Sequence, residues 1–145
     1  MRTIGTILAS AALCIALALP IAAFAALQTN YDWYKGHEGD ASYTIGTAGE
    51  LKALARLVNG TADYDGAPDG AVDFAGKTIS VTGSINFVSE PLEPIGTPAT
   101  PFKGRFDGSG FEVDNFVLRI DASDTETSAS NVGVFGYVGE GGSVS

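Results

Sequence analysis

The sequence predicts a mostly β fold: the start of a right-handed parallel β-helix, or solenoid, with one amphipathic helix capping its N-terminal end. Three observations predict it. Short runs of alternating apolar and polar residues are punctuated by Gly, Asp, Asn and Pro. One pattern recurs at an offset of 32 residues. A single helix, complete with cap signals, precedes the first alternating run.

The chain opens on a leader. Met1 and Arg2 form a short positive end, and no charged residue follows until Asp32. Pro20 interrupts the apolar run, and Ala23-Phe24-Ala25 fits the small-x-small cleavage rule. Residues 1–25 therefore read as a signal peptide, with Ala26 as the first mature residue. An uncleaved anchor is the rival reading, because over 20 uncharged residues are long enough to span a bilayer. A lipidated Cys14 is a poorer fit, since the apolar run continues well past it. The mature chain then divides into an extended lead-in, residues 26–42, and a capping helix with the first solenoid repeats, residues 43–145. The pattern is interrupted at Ser145, and the sequence is expected to be truncated there.

Charge narrows the partners. The whole chain carries −9, and losing the leader with Arg2 makes it one unit more negative. Such a surface repels phosphate backbones, so no nucleic-acid partner is expected. It suits a soluble, secreted or cell-surface location, with membrane contact only through the leader. Cys14 is the only cysteine. The mature chain therefore rests on packing and backbone hydrogen bonds, without disulfides.

Each element follows from local pattern. The lead-in holds Tyr31, Trp33 and Tyr34, which either pack over the end of the first layer or form a sugar-stacking platform. Thr47-Ala48-Gly49-Glu50 is a capping box with Thr47 as N-cap. Leu51, Leu54, Ala55 and Val58 share one helical face, while Lys52 and Arg56 lie four apart on another. Asn59-Gly60 stops the helix, predicted over residues 48–58. A helix of that length is marginal alone in water, so its apolar face must dock. A Gly-, Asp- and Pro-rich loop fills residues 61–72. Alternating runs follow at 78–82, 84–87, 111–113, 116–120 and 132–138. The expected core contains Leu51, Leu54, Val58, Ile79, Val81, Ile85, Phe106, Phe111, Val113 and Phe135.

The repeat aligns Phe74-Ala75-Gly76-Lys77-Thr78-Ile79-Ser80-Val81 with Phe106-Asp107-Gly108-Ser109-Gly110-Phe111-Glu112-Val113. A third copy begins at Gly142-Ser143-Val144-Ser145, with Val144 lying 31 residues after Val113. Self-similarity at this period predicts stacked units, each burying its apolar face against its neighbours. A stack of strands exposes unpaired backbone at its end, and a preceding amphipathic helix can cover it.

A run of motifs carries a family resemblance. It comprises Tyr43-Thr44-Ile45-Gly46-Thr47-Ala48-Gly49-Glu50-Leu51, Asp73-Phe74-Ala75-Gly76-Lys77-Thr78-Ile79 and Pro94-Ile95-Gly96. Pro101-Phe102-Lys103-Gly104-Arg105-Phe106-Asp107-Gly108-Ser109-Gly110 and Asn131-Val132-Gly133-Val134-Phe135-Gly136-Tyr137-Val138-Gly139 complete it. Residues 43–145 resemble the N-terminal part of bacterial secreted and surface proteins with GLUG-type repeats, which also accompany peptidases that cut immunoglobulin A. The resemblance implies a β-helical, adhesin-like module. Gly133-Val134-Phe135-Gly136 departs from the usual Gly-Leu start. The quoted motifs include no peptidase domain, sortase motif or C-terminal anchor.

Chemistry is sparse. Asp63, Asp65, Asp69 and Asp73 are the candidate metal ligands, because calcium takes several oxygens from a tight, Gly-rich loop. The loop departs from the EF-hand pattern, with Pro68 at the glycine position. Tyr31, Trp33 and Tyr34 are the candidate glycan ligands. Ala71-Val72-Asp73-Phe74-Ala75-Gly76-Lys77-Thr78 loosely matches a phosphate loop, but a strand pattern follows where that motif needs a helix. His37, the single histidine, lies in a polar stretch and reads as solvated. Asp107, Glu112, Asp114 and Asp121 lie in the strand region as paired-carboxylate candidates, but they read first as surface-turn acids. No catalytic residue and no cofactor other than calcium is expected. The function read from these features is a non-catalytic surface module, structural or adhesive. Its partners would be a host or cell-surface protein or glycan, and further repeats of the same polypeptide. Two alternatives remain: the non-catalytic N-terminal part of a larger secreted peptidase or polysaccharide-active enzyme, and a carbohydrate-binding module.

Overall fold

The computed structural model describes residues 27–118 and 133–145. Residues 1–26, which contain the expected leader, and residues 119–132, which include Ile120, Asp121 and Val132, lie outside the described residues. Nine elements follow in order: β1 (Ser42–Ile45), α1 (Ala48–Asn59), β2 (Thr78–Val81), β3 (Ile85–Asn86), β4 (Pro91–Leu92), β5 (Arg105–Asp107), β6 (Val113–Asp114), β7 (Val117–Leu118) and β8 (Ser143–Val144). Among the described residues, the architecture is short strands with one helix, in parallel sheets that close no barrel.

Pairing is place by place. One sheet has the order β1-β2-β5-β8, and β3-β6 and β4-β7 form two more, all parallel. Two single bridges continue the series, Ile95 with Phe135 and Phe102 with Val138. The stretch from β2 to Phe102 thus lies along the described residues between β5 and Val138. Corners stack as well as strands. Asn115 Nδ2 donates to Asn86 Oδ1 at 3.2 Å, and the Phe87 and Phe116 rings lie 6.4 Å apart. Asn115 takes a left-handed backbone at φ 54°, a conformation that asparagine tolerates better than most residues.

The helix forms as its sequence dictates. Thr47 Oγ1 accepts from the Glu50 amide at 3.3 Å, and Glu50 Oε2 accepts from the Thr47 amide at 3.0 Å. These two bonds close the capping box. Gly60, at φ 73°, supplies the left-handed C-cap, and the Thr61 amide returns to the Arg56 carbonyl at 2.8 Å. The buried surface is wider than the predicted stripe: Ala53 and Leu57 join Leu51, Leu54, Ala55 and Val58. The start of the helix also has a second neighbour. The lead-in crosses the helix, where the Asn30 amide donates to the Gly49 carbonyl at 3.0 Å. A Cβ at Gly49 would stand 2.4 Å from the Gln28 carbonyl oxygen, so only glycine admits this crossing. In the chain, α1 occupies the place between β1 and β2 that β3 and β4 hold between β2 and β5.

The core confirms part of the expected set. Leu51, Leu54, Val58, Ile79, Val81, Ile85 and Phe106 are buried. Phe111 is not: it is 44% exposed. Its amide closes a turn on Gly108, with Ser109 and Gly110 at positive φ, so it ends a turn rather than pointing inward from a strand. Val113 and Phe135 are half-buried against the core.

The 32-residue alignment does not give the pairing. Ile79 lies beside Phe106, not Phe111, and Val144 lies beside Phe106, not Val113. Pairing is decided by which side chains face the core, and the loops between places differ in length. The Tyr43–Ile79 step is therefore 36 residues and the Ile79–Phe106 step 27. The run over 132–138 forms no strand among its described residues; it contributes only the bridges at Phe135 and Val138. The strands β1, β4 and β5 lie outside the runs that alternation predicts.

Candidate functional site

The predicted glycan ligands lie in an aromatic cluster. Tyr31 and Tyr34 are buried and Trp33 is half-buried. Trp33 meets Tyr43 at 5.3 Å, Tyr34 at 5.6 Å and Phe74 at 6.1 Å between ring centroids. Phe74 passes the contact on to Phe102 at 6.3 Å. Such pairs contribute about 0.5–1.5 kcal/mol each beyond area burial. The rings thus pack over β1 and the start of β2 instead of presenting an open stacking platform. Burial pushes the Tyr34 phenol up to about 12, with charge coupling to Tyr43 as the next cause.

The four predicted metal ligands are not brought together. Asp63 pairs with Arg56 through Nη1 and accepts from the Tyr31 hydroxyl at 2.8 Å. The Arg56 hydrogen bond, and then that of Tyr31, holds its carboxyl below the usual aspartate range. Asp73 accepts from the Ala75 amide at 3.0 Å and pairs with Lys103 at 3.2 Å. The backbone bond is the larger cause of its lowered pKa. Asp65 and Asp69 are exposed on two successive turns, closed by Ala67 on Tyr64 and Gly70 on Pro68. Among the described residues, no group of three or more His, Cys, Asp or Glu side chains is placed to hold a metal.

The remaining motifs resolve into surface structure. The loose phosphate-loop match is a turn, Lys77 on Phe74, that leads into β2. Lys77 Nζ donates to the Glu38 and Asp40 carbonyls at 3.0 and 2.6 Å, and to the Tyr43 hydroxyl at 3.3 Å. His37 is exposed beside Asp40, at 3.2 Å. Asp107 turns back to the Ser109 amide at 3.0 Å, and Glu112 and Asp114 are exposed.

Two features escaped the sequence reading. The first is the Asn59 side chain, which joins the end of α1 to the corner at residues 94–96. Its Nδ2 donates to the Pro94 carbonyl at 3.0 Å, and its Oδ1 accepts from the Gly96 amide at 2.9 Å. The second is a cleft of about 300 Å³ between α1 and β4, lined by Lys52, Ala55, Arg56, Pro91, Leu92 and Pro94 among others. Its two cations are engaged, Arg56 with Asp63 and Lys52 with the Leu27 carbonyl at 2.9 Å. The four-residue spacing of Lys52 and Arg56 was the only sequence signal for it.

No helix among the described residues is long and apolar enough to cross a membrane. No protein-family model, curated protein or solved structure matches the chain.

Proposed function

We infer that the chain is a non-catalytic module of an exported bacterial surface protein, structural or adhesive in role. It is built as a right-handed parallel β-helix whose first turn is closed by α1. The observation that carries this reading is the place-by-place parallel pairing of β2, β3, β4, Ile95 and Phe102 with β5, β6, β7, Phe135 and Val138. A chain that coils at each pass gives this pairing, and the right-handed sense is the one that parallel connections favour. The capped helix, standing where the next pass has β3 and β4, fits a cover over the raw end of such a stack. Export rests on the leader and its Ala23-Phe24-Ala25 site, and a solvated extracellular surface on the acidic charge.

The test is expression of the full chain in a bacterial host, with protease shaving of intact cells and N-terminal sequencing. The expected product is outside the inner membrane, sensitive to external protease, and begins at Ala26. A chain retained in the cytosol with Met1 or Arg2 at its start overturns the reading.

A further inference from the structure

We propose that Asn59 is a latent deamidation site, held unreactive by the fold, whose conversion to aspartate releases the end of α1 from the corner at residues 94–96. Asn59 is the last residue of α1, and Gly60 follows it. Without a Cβ, glycine leaves its backbone nitrogen unshielded. That nitrogen attacks Asn59 Cγ, a C–N bond forms, ammonia leaves, and a succinimide ring results. Water then opens the ring to aspartate or isoaspartate. The net change is amide plus water to acid plus ammonia, with no other reactant.

Both reacting groups are engaged in the folded chain. The Asn59 amide spans the Pro94 carbonyl and the Gly96 amide. The Gly60 N–H donates back to the Leu57 carbonyl at 3.3 Å, and Gly60 is held at φ 73° by the cap. Reaction requires the side chain to leave both partners and Gly60 to leave the cap. The receiving corner has little room to follow. Gly96 has a left-handed backbone at φ 85°, and its open face lies against the Tyr137 carbonyl, 2.3 Å from where a Cβ would stand.

The product fits this place poorly. An aspartate still accepts from Gly96, but it has no donor for the Pro94 carbonyl and sets one acceptor against another. Its negative charge also sits in the last turn of a helix, where the macrodipole disfavours it. Isoaspartate adds a methylene to the main chain and changes the spacing on which the Gly60 cap depends.

The experiment incubates the full chain at neutral pH, folded and in urea that unfolds it, and follows conversion at Asn59 by peptide mass mapping. Conversion is expected to be about tenfold slower or more in the folded chain, since two ordinary hydrogen bonds must open first. Asn59→Asp is compared with wild type and Asn59→Ala by thermal melts. Asn59→Asp should melt below wild type at neutral pH, and should gain on Asn59→Ala as pH falls through the carboxylate range, because a protonated acid can donate to Pro94. Equal conversion rates in the two conditions overturn the protection. An Asn59→Asp chain as stable as wild type at neutral pH overturns the release. If Asn59→Ala does not fold, the comparison of Asn59→Asp with wild type decides alone.

Discussion

Arg56 and Asp63 form an ion pair across the C-terminal stop of α1, and the Tyr31 hydroxyl completes it from the lead-in at 2.8 Å. Three separate segments meet there: the lead-in, the helix and the acidic loop. Because Asp63 is exposed, the pair is worth about 0.2–1 kcal/mol and no more.

This arrangement sets a pH dependence. The folded-state carboxyls of Asp63 and Asp73 titrate below their ordinary value, so their contribution is present above about pH 4 and is lost as pH falls through the folded pKa. On the alkaline side, burial raises the phenols of Tyr31, Tyr34 and Tyr64. Their contribution is complete below about pH 10 and is lost as pH rises through the folded values. Urea unfolding between pH 2 and pH 12 should therefore show stability falling at both ends. Asp63→Asn should flatten part of the acid limb; an unchanged acid limb removes Asp63 from the account.

Helix docking is tested by contrast. Leu54 is fully buried and Phe111 is 44% exposed. Leu54→Ala should cost about 2–5 kcal/mol. Phe111→Ala should cost under about 0.5 kcal/mol, in line with a surface position. Urea denaturation of both variants gives the two numbers, and the reverse order would place the core elsewhere.

Much of this organisation was legible locally. The capping box, the Gly60 stop and the inward residues of β2 and β3 follow from short-range pattern, because their chemistry is contained within a few residues. The register was not legible. The alignment sets the Phe74–Lys77 turn against Phe106 of strand β5, whereas the structure pairs Phe106 with Ile79. Loop length is nearly free in energy, so it can vary without disturbing pairing and without leaving a constant period. The candidate ligands misled for a related reason. Acids close in sequence suggested a shared ion, but the partners of Asp63 and Asp73 are a helix residue and a residue 30 positions onward.

That reassignment makes a calcium prediction. Asp63 and Asp73 are already paired to Arg56 and Lys103, which leaves the exposed Asp65 and Asp69 as the loop's acids for an ion. Melting temperature in millimolar calcium is expected to equal that in chelator. A specific site at 100 times its dissociation constant would add about 2.7 kcal/mol, an easily seen rise. Such a rise, abolished by Asp65→Asn with Asp69→Asn, would restore the loop as a metal site.

The unequal lengths of the paired strands have a mechanical consequence. β1 and β2 share four residue pairs, whereas β5 holds β8 by two. Tension entering through Ser145 therefore meets a two-pair attachment first, half the length of the β1–β2 pairing. β8 peels away as a short zipper, and the load then passes to the single bridges of Val138 on Phe102 and Phe135 on Ile95. The helix and its aromatic cover lie furthest from that pull along the order of pairing, so they are the last part to give way.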